Sequence, residues 1–359
     1  MRIRLSAVVS SFAGAASMFV SIAVASAQTL PSSAPIHIHL VSSSVNPPSV
    51  TAIYNLAGLT GGYFTKNGLD VELQQSSGSP TSLAAIVSGK AEFASINLAV
   101  LANAASQGIK AKTFVIGNFD NIGMLVSKDS IRSPKDLEGK IMAASVLGSS
   151  EYNAPRTYFA HQGIDIDKIH WVSSGNESTT VQALVAGRID AAYLHVAAMM
   201  DAFKANPSLK ILVEPAAFSK VAPSTGAIAV VTDAYAEAHP DVVTAFTQSL
   251  IAASRRLYQD RSFFDAVTET WMPGIYSDAQ KTVIYNAYHP SWGVNGGLEM
   301  RALESVLDGW KESNPKGATN PYFSRAADLV DTRFAKTALD RLGLMKGALD
   351  DAAWYETAQ

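Results

Sequence analysis

The side chains best suited to hold a small solute are short polar residues placed where strands should end and helices begin. Ser77, Gly78 and Ser79 precede a helix that starts with a proline, and Asn97 follows a β-rich run. Glycine lets the backbone approach a solute, hydroxyls and amides donate hydrogen bonds, and a helix N-terminus favours a negative group. This pattern predicts a binding site for a small organic solute, which we expect to be an anion such as a sulfonate or a carboxylate; a neutral heterocycle would also fit it.

Similar residues follow other predicted strands and precede other predicted helices. Taken alone, each is more typical of a cap, a turn or a half-buried position than of a ligand contact. The prediction therefore rests on the set, whose other members are Ser43, Ser44, Asn46, Asn118, Ser149, Ser150, Asn176, Tyr193, His195 and Thr225.

An internal repeat places these residues in two groups. Residues 63–70, 76–79 and 85–92 return as residues 158–165, 173–176 and 183–190, at offsets of 95, 97 and 98. Two copies of this length are not a repeat array, and they indicate two similar lobes in one chain. The repeat sets Ser77–Ser79 opposite Gly175–Asn176, and Asn97 opposite His195, across a cleft.

The elements that must position these residues alternate between strand and helix. The run at 36–41 alternates as a strand does, Pro80 suits the first turn of a helix, and Gly89 suits its end. Such alternation favours an α/β fold with mostly parallel sheets, each flanked by helices. We expect two lobes, each with a mixed sheet flanked by helices, joined by two hinge crossings near 118–123 and 223–226.

The domain boundaries follow from the repeat and from the ends of the chain. The expected divisions are a signal peptide at 1–27, a discontinuous lobe I at 36–120 plus 226–345, a lobe II at 121–225, and a C-terminal tail at 346–359.

The first 27 residues have the pattern of a secretory signal. Arg2 and Arg4 precede an apolar run of small residues, and Ala25-Ser26-Ala27 fits a cleavage site. Cleavage after Ala27 leaves 26 basic and 31 acidic residues, a net charge of −5. The mature chain is predicted to be periplasmic and monomeric, and it has no basic cluster of the kind that binds nucleic acid.

The sequence contains no cysteine, which excludes thiolate metal sites and cysteine nucleophiles. Motifs of serine hydrolases, zinc proteases and nucleotide-binding proteins are missing, so we expect neither an enzyme nor a cofactor. His37 and His39 alternate along a strand, but no third ligand stands near them in the sequence, and no metal site is expected. The Asp350-Asp351 pair is expected to be solvated.

Four motifs together resemble the periplasmic substrate-binding proteins of ABC importers. They are Gly62-Tyr63-Phe64, residues 68–71, residues 83–93 and residues 136–140. The resemblance is to the branch that binds aliphatic sulfonates, taurine, nitrate and thiamine-pyrimidine precursors, and it weakens in the C-terminal helices. It implies the two-lobed type II binding-protein fold, closure on a sulfonate-like solute, and an ABC permease in the inner membrane as partner.

Two alternatives stay open at this point. Enzymes of the same branch that depend on cysteine do not fit a chain without cysteine, but an exported lyase or decarboxylase does not need one. A sensory binding protein would report to a receptor in place of a permease.

Overall fold

The computed structural model describes residues 34–42, 50–118, 123–147, 149–221, 223–314, 322–348 and 350. The signal-peptide prediction and most of the predicted tail lie outside this range. Among the described residues, no helix combines the length and the apolar character that a membrane span requires.

The first sheet has five strands in the order β2-β1-β3-β10-β4. The strands β1 and β2, and β1 and β3, pair in parallel, whereas β10 runs antiparallel to both of its neighbours. Their bounds are β1 (Ile36–Ser42), β2 (Leu69–Gln75), β3 (Phe93–Ile96), β4 (Ala111–Ile116) and β10 (Ile228–Thr232).

The second sheet has five strands in the order β7-β6-β8-β5-β9. The strand β6 pairs in parallel with β7 and with β8, whereas β5 runs antiparallel to both of its neighbours. Their bounds are β5 (Gly123–Ser127), β6 (Ile141–Ala144), β7 (His170–Ser173), β8 (Ala191–His195) and β9 (Lys210–Val213).

The two sheets therefore share one topology, which confirms the predicted pair of mixed sheets flanked by helices. The antiparallel strand of each sheet comes directly after the chain has crossed from the other sheet. The two crossings lie side by side, because the Gly226 backbone N–H donates to the Asn118 carbonyl at 2.9 Å. That contact joins the two segments at which a hinge is predicted.

Helices cover both sheets and form most of the C-terminal third. The first seven are α1 (Ile53–Thr60), α2 (Tyr63–Lys66), α3 (Ser79–Val87), α4 (Leu98–Ala105), α5 (Ser150–His161), α6 (Glu177–Val185) and α7 (Val196–Ala205). The others are α8 (Pro215–Val221), α9 (Asp233–Ala238), α10 (Pro240–Gln259), α11 (Arg261–Trp271), α12 (Asp278–Tyr288), α13 (Met300–Ser313) and α14 (Thr332–Leu342).

Proline and glycine bound the repeated helices as the sequence predicts. Pro80 lies in the first turn of α3, where its missing N–H would have had no partner in the helix. Gly89 and Gly187 follow α3 and α6 with φ angles of 71° and 70°, a left-handed conformation that glycine adopts without steric cost.

The first sheet has a core built around aromatic rings. Phe93 of β3 stacks on Phe246 of α10 with ring centroids 4.1 Å apart, and Phe114 of β4 packs against the same ring. Such pairs add about 0.5–1.5 kcal/mol each beyond the burial of their area. This core fixes β3, which is followed directly by Asn97 of the candidate site.

A second core joins the two halves of the molecule. Ile53 and Leu56 of α1 and Phe264 of α11 lie in one buried cluster with Leu184 of α6 and Leu194 of β8. Residues assigned by sequence to lobe I thus pack against elements assigned to lobe II. The domain boundaries themselves stay a prediction.

Asp350 is 3% exposed, so the expectation that this residue is solvated is wrong. Its carboxylate accepts the backbone N–H groups of Asn295 at 2.7 Å and Gly297 at 3.0 Å. Burial raises its pKa to about 7. The residue anchors the start of the predicted tail against the loop that precedes α13.

Candidate functional site

The strands β3 and β8, which occupy equivalent positions in the two sheets, end in the same backbone arrangement. Asn97 follows β3 at the N-cap of α4, and its N–H donates to the Ser79 hydroxyl at 3.3 Å. His195 ends β8 at the N-cap of α7, and its N–H donates to the Glu177 carboxylate at 2.8 Å. The structure thus brings Ser79 to Asn97, and places His195 at the equivalent position in the second sheet.

The serine-rich loops before α3 and α6 also contain an equivalent hydrogen bond between two hydroxyl groups. Ser76 contacts the Ser82 hydroxyl at 2.7 Å, and Ser174 contacts the Thr180 hydroxyl in the same way. Equivalent residues of the two loops are therefore 98 positions apart in the structure, whereas the sequence repeat predicts 97. Gly78 is therefore the structural counterpart of Asn176.

The half-buried pair of Glu177 and His195 is the charged centre of the second sheet's edge. The Glu177 carboxylate lies 3.0 Å from His195 Nδ1. Burial alone would lower the pKa of His195, but this carboxylate outweighs burial and raises the pKa to about 9. Burial would raise the pKa of Glu177, and the imidazolium more than reverses that, so the pKa is lowered. The pair is ionised at neutral pH.

Two further groups stand near His195. The Glu151 carboxylate, in the first turn of α5, also raises the pKa of His195, which places its negative charge close to the ring. Tyr193 packs edge-on to His195 with ring centroids 5.7 Å apart, and its hydroxyl accepts the Gly123 N–H at 3.0 Å. Tyr193 thus fixes the start of β5 beside the charged pair.

A cavity of about 50 Å³ lies between the two halves of the molecule. Both sheets' helices and the second crossing contribute to its wall, which includes Asn97, Leu98, Ser305, Ser150, Asn153, Ser224 and Thr225. A groove of about 540 Å³ shares Thr157, Pro223, Ser305 and Gly309 with it. The cavity therefore continues into a groove of the size that small-molecule sites have.

Of the predicted site residues, Asn97, Ser150 and Thr225 line this cavity. At Asn97 the side chain makes no capping hydrogen bond within the described part of the chain. Its amide is thus not engaged by the helix that it precedes, which suits a residue that contacts a solute.

Other predicted residues have structural partners. Asn176 caps α6 by accepting the Thr179 N–H at 2.9 Å. The Ser149 hydroxyl donates to Glu151, and the Ser77 hydroxyl pairs with that of Thr81 at 2.9 Å. Asn118 is 4% exposed and belongs to the first crossing. Ser43, Ser44 and Asn46 lie outside the described residues.

Sequence reasoning missed Glu177, Glu151, Asn153 and Asn55. Glu177 begins a helix, a position that is ordinary for an acidic residue, and only the fold brings it to His195. Asn55 of α1 is fully buried, and neither of its amide atoms has a partner among the described residues. An unpaired buried amide costs about 1–3 kcal/mol, which a buried water would offset.

The edge opposite the cavity holds the residues that could bind a metal. His37, His39 and Glu72 each offer one ligand atom, and these atoms lie within 4.8 Å of one another. The sequence shows no third ligand near the two histidines, and the fold brings one from the neighbouring strand. Parallel pairing of β1 with β2 sets His39 beside Glu72, 33 positions later in the sequence.

Comparison with known proteins finds a family model, described as NMT1/THI5 like, that matches residues 48–260. A taurine-binding periplasmic protein of Escherichia coli (strain K12) is 27% identical over 191 residues, which cover 53% of this chain. The chain spans 58% of the length of that relative.

Solved structures at low identity share the fold. A putative periplasmic sulfonate-binding protein of an ABC transporter from Methylobacillus flagellatus KT matches with a TM-score of 0.68 at 17% identity, covering 86% of this chain and 95% of that one. The periplasmic aliphatic sulphonate binding protein of Escherichia coli gives a TM-score of 0.66 at 11% identity, covering 82% and 97%.

Proposed function

Because the chain belongs to the NMT1/THI5-like family, we propose that it is the extracytoplasmic solute-binding component of an ABC importer. It captures a small organic solute between its two lobes in the periplasm and delivers it to a permease in the inner membrane. The similarity to a taurine-binding periplasmic protein supports this role.

The cavity between the lobes carries the proposal. Asn97 from the first sheet's edge, Ser150 from α5 and Thr225 from the crossing all line it. A solute that contacts all three would be held by both lobes and by the segment that joins them. Closure around such a solute is the hinge motion by which two-lobed binding proteins enclose a ligand.

The chemistry of the wall favours a solute with a negative group. The N-termini of α4 and α5 both border the cavity, and a helix N-terminus offers unpaired N–H groups and a partial positive charge. Hydroxyl and amide groups of Ser150 and Asn153 add hydrogen-bond capacity. A sulfonate of a small aliphatic compound meets these requirements.

A thermal-shift screen of sulfonates, carboxylates and pyrimidines tests the proposal. A solute at 100 times its Kd should stabilise the folded chain by about 2.7 kcal/mol, through mass action. Stabilisation by taurine or an alkanesulfonate, without turnover, supports a binding protein. No shift with any anion would contradict the anionic solute, and turnover of a ligand would favour a lyase.

A matched pair of ligands can define the solute further. Taurine and isethionate differ only in an ammonium in place of a hydroxyl, and Glu151 follows the wall residue Ser150 in the first turn of α5. Glu151→Gln should weaken taurine about tenfold, the value of one charge-assisted hydrogen bond, and leave isethionate unchanged. Glu214→Gln, at an exposed site, is the control. Equal weakening of both ligands would place Glu151 away from the ammonium.

A further inference from the structure

Four side chains that can bind metals share one face at the outer ends of β1 and β2. Parallel pairing aligns His37 with Asp70 and His39 with Glu72. Residues two apart on a strand point to the same face, and paired residues of neighbouring strands do so as well. The amino ends of these strands lie at the edge of the sheet opposite the cavity, so this cluster is separate from the proposed solute site.

The distances in the cluster are close to those that a metal ion requires. His37 Nε2 lies 3.6 Å from Glu72 Oε2, and the two imidazole rings have centroids 4.7 Å apart. A tetrahedral zinc ion with bonds of about 2.0–2.1 Å keeps its ligand atoms about 3.3 Å from one another. Small side-chain rotations are enough to reach that arrangement.

Each histidine also has a carboxylate of its own on the other ring nitrogen. His37 Nδ1 lies 2.9 Å from Asp70 Oδ2, and His39 Nδ1 lies 3.2 Å from Glu92 Oε2. Glu92 in addition accepts the His39 backbone N–H at 2.6 Å, which holds the carboxylate in place. Metal-binding histidines are oriented in this way, since the carboxylate fixes the tautomer and leaves Nε2 for the metal.

We propose that His37, His39 and Glu72 bind one transition-metal cation of the Zn²⁺ class, with water completing its coordination. Asp70 and Glu92 orient the two imidazoles. Two imidazoles and one carboxylate suit Zn²⁺, Cu²⁺ or Ni²⁺, whereas Mg²⁺ and Ca²⁺ prefer oxygen ligands alone. The side chains of His37 and Glu72 are 50% and 55% exposed, so an ion reaches them from solvent. The bound ion would join β1 to β2 near their amino ends, before the residues of β1 that pair with β3.

Calorimetric titration with Zn²⁺ tests the proposal on the purified chain, free of any histidine tag. One ion should bind per chain, and His37→Ala should weaken binding by about 100-fold or more because a direct ligand is lost. Asp70→Asn should weaken it by about 10–100-fold, as expected for an orienting carboxylate. Co²⁺ bound to the wild-type chain should show the visible absorption of a four-coordinate site, and His37→Ala should abolish it.

His170→Ala is the matched control. His170 is exposed at the start of β7, the strand that corresponds to β2, and it pairs with Ile141 where the first sheet pairs Glu72 with His39. This variant should bind Zn²⁺ as the wild type does. Circular dichroism of each variant checks that it is folded.

Three results would overturn the proposal. They are equal affinity for Zn²⁺ in His37→Ala and wild type, an equal loss of affinity in His170→Ala, or displacement of Zn²⁺ by Mg²⁺ at equal concentration. Retention of one Zn²⁺ per chain in the control, with loss in His37→Ala, would support it.

Discussion

The strand-to-helix junctions after β3 and β8 have the same backbone and opposite chemistry. In the first, Asn97 donates its N–H to a serine hydroxyl, and in the second, His195 donates its N–H to a carboxylate. Duplication of the fold therefore sets where a side chain stands but not what charge it carries. One junction is left neutral, and the other holds an ion pair.

The difference extends to the rest of both edges. The first turns of α1 and α3 contain no acidic residue, whereas those of their counterparts α5 and α6 contain Glu151 and Glu177. A solute between the lobes would meet neutral donors on one side and charged groups on the other. We therefore expect the second lobe, more than the first, to determine which charged solutes bind.

The largest effect on stability is expected when the ion pair of the second junction is removed. Glu177→Ala should lower the free energy of unfolding by about 2–3 kcal/mol at pH 7, because His195 loses its carboxylate in a half-buried site. The equivalent change in the first junction, Ser79→Ala, should cost only about 0.5 kcal/mol. Urea unfolding of both variants measures the two values, and equal losses would show that the junctions do not differ energetically.

The pH dependence of stability should come from the second junction. Since the pKa of His195 is raised from 6.5 to about 9, its stabilisation is complete below pH 6.5 and is lost as the pH rises to about 9. Glu177 has a lowered pKa, so its contribution is complete above about pH 4.5 and is lost as the pH falls through the folded value.

Urea unfolding between pH 6 and pH 10 should therefore show the wild type losing about 3 kcal/mol over this window. Glu177→Ala should flatten that part of the profile, whereas Ser79→Ala should keep the wild-type slope. An unchanged slope in Glu177→Ala would assign the titration to another group.

In the first junction, which has no ion pair, replacing Asn97 should affect solute binding but not the stability of the fold. Asn97→Ala should weaken a ligand found in the screen about tenfold, the value of one hydrogen bond, because its amide lines the cavity. The melting temperature of the free protein should not change, since the side chain makes no capping bond within the described chain. Asn103→Ala, exposed on α4, is the control for both measurements.

The smallest expected effects concern the caps of α3 and α6. Asn176→Ala should cost about 1 kcal/mol, because its side chain accepts the Thr179 N–H. Gly78 occupies the same position in the first lobe with an extended backbone, and a Cβ there would meet only Pro80 at 3.7 Å. Gly78→Asn should therefore stabilise the protein by about 0.5 kcal/mol. A loss of stability would show that the two loops are not equivalent.

Local patterns predicted much of this molecule. The alternation at 36–41 and the proline and glycine around α3 indicated β1 and the bounds of the repeated helix, and the structure confirms the two mixed sheets. Asn97 was recognisable as a site candidate because a strand and a helix meet at it. Whether it contacts a solute stays a prediction.

The contacts that could not be predicted from the sequence are those between segments far apart in the chain. Glu177 and His195 meet only because the end of β8 lies beside the start of α6, and Glu72 joins His37 only through the register of β1 with β2. The offset of the serine loops was misread by one residue because glycine was matched with glycine. Hydrogen bonds align Gly78 with Asn176 instead, since position in the turn, and not residue type, is what the fold repeats.

The exchange of strands between the sheets determines the order in which the molecule can be completed during synthesis. All strands of the second sheet lie between residues 123 and 213, so that sheet can close as soon as this stretch is made. The first sheet has β10 between β3 and β4, and until residues 228–232 emerge those two strands keep open edges. The lobe that is begun first is therefore finished last.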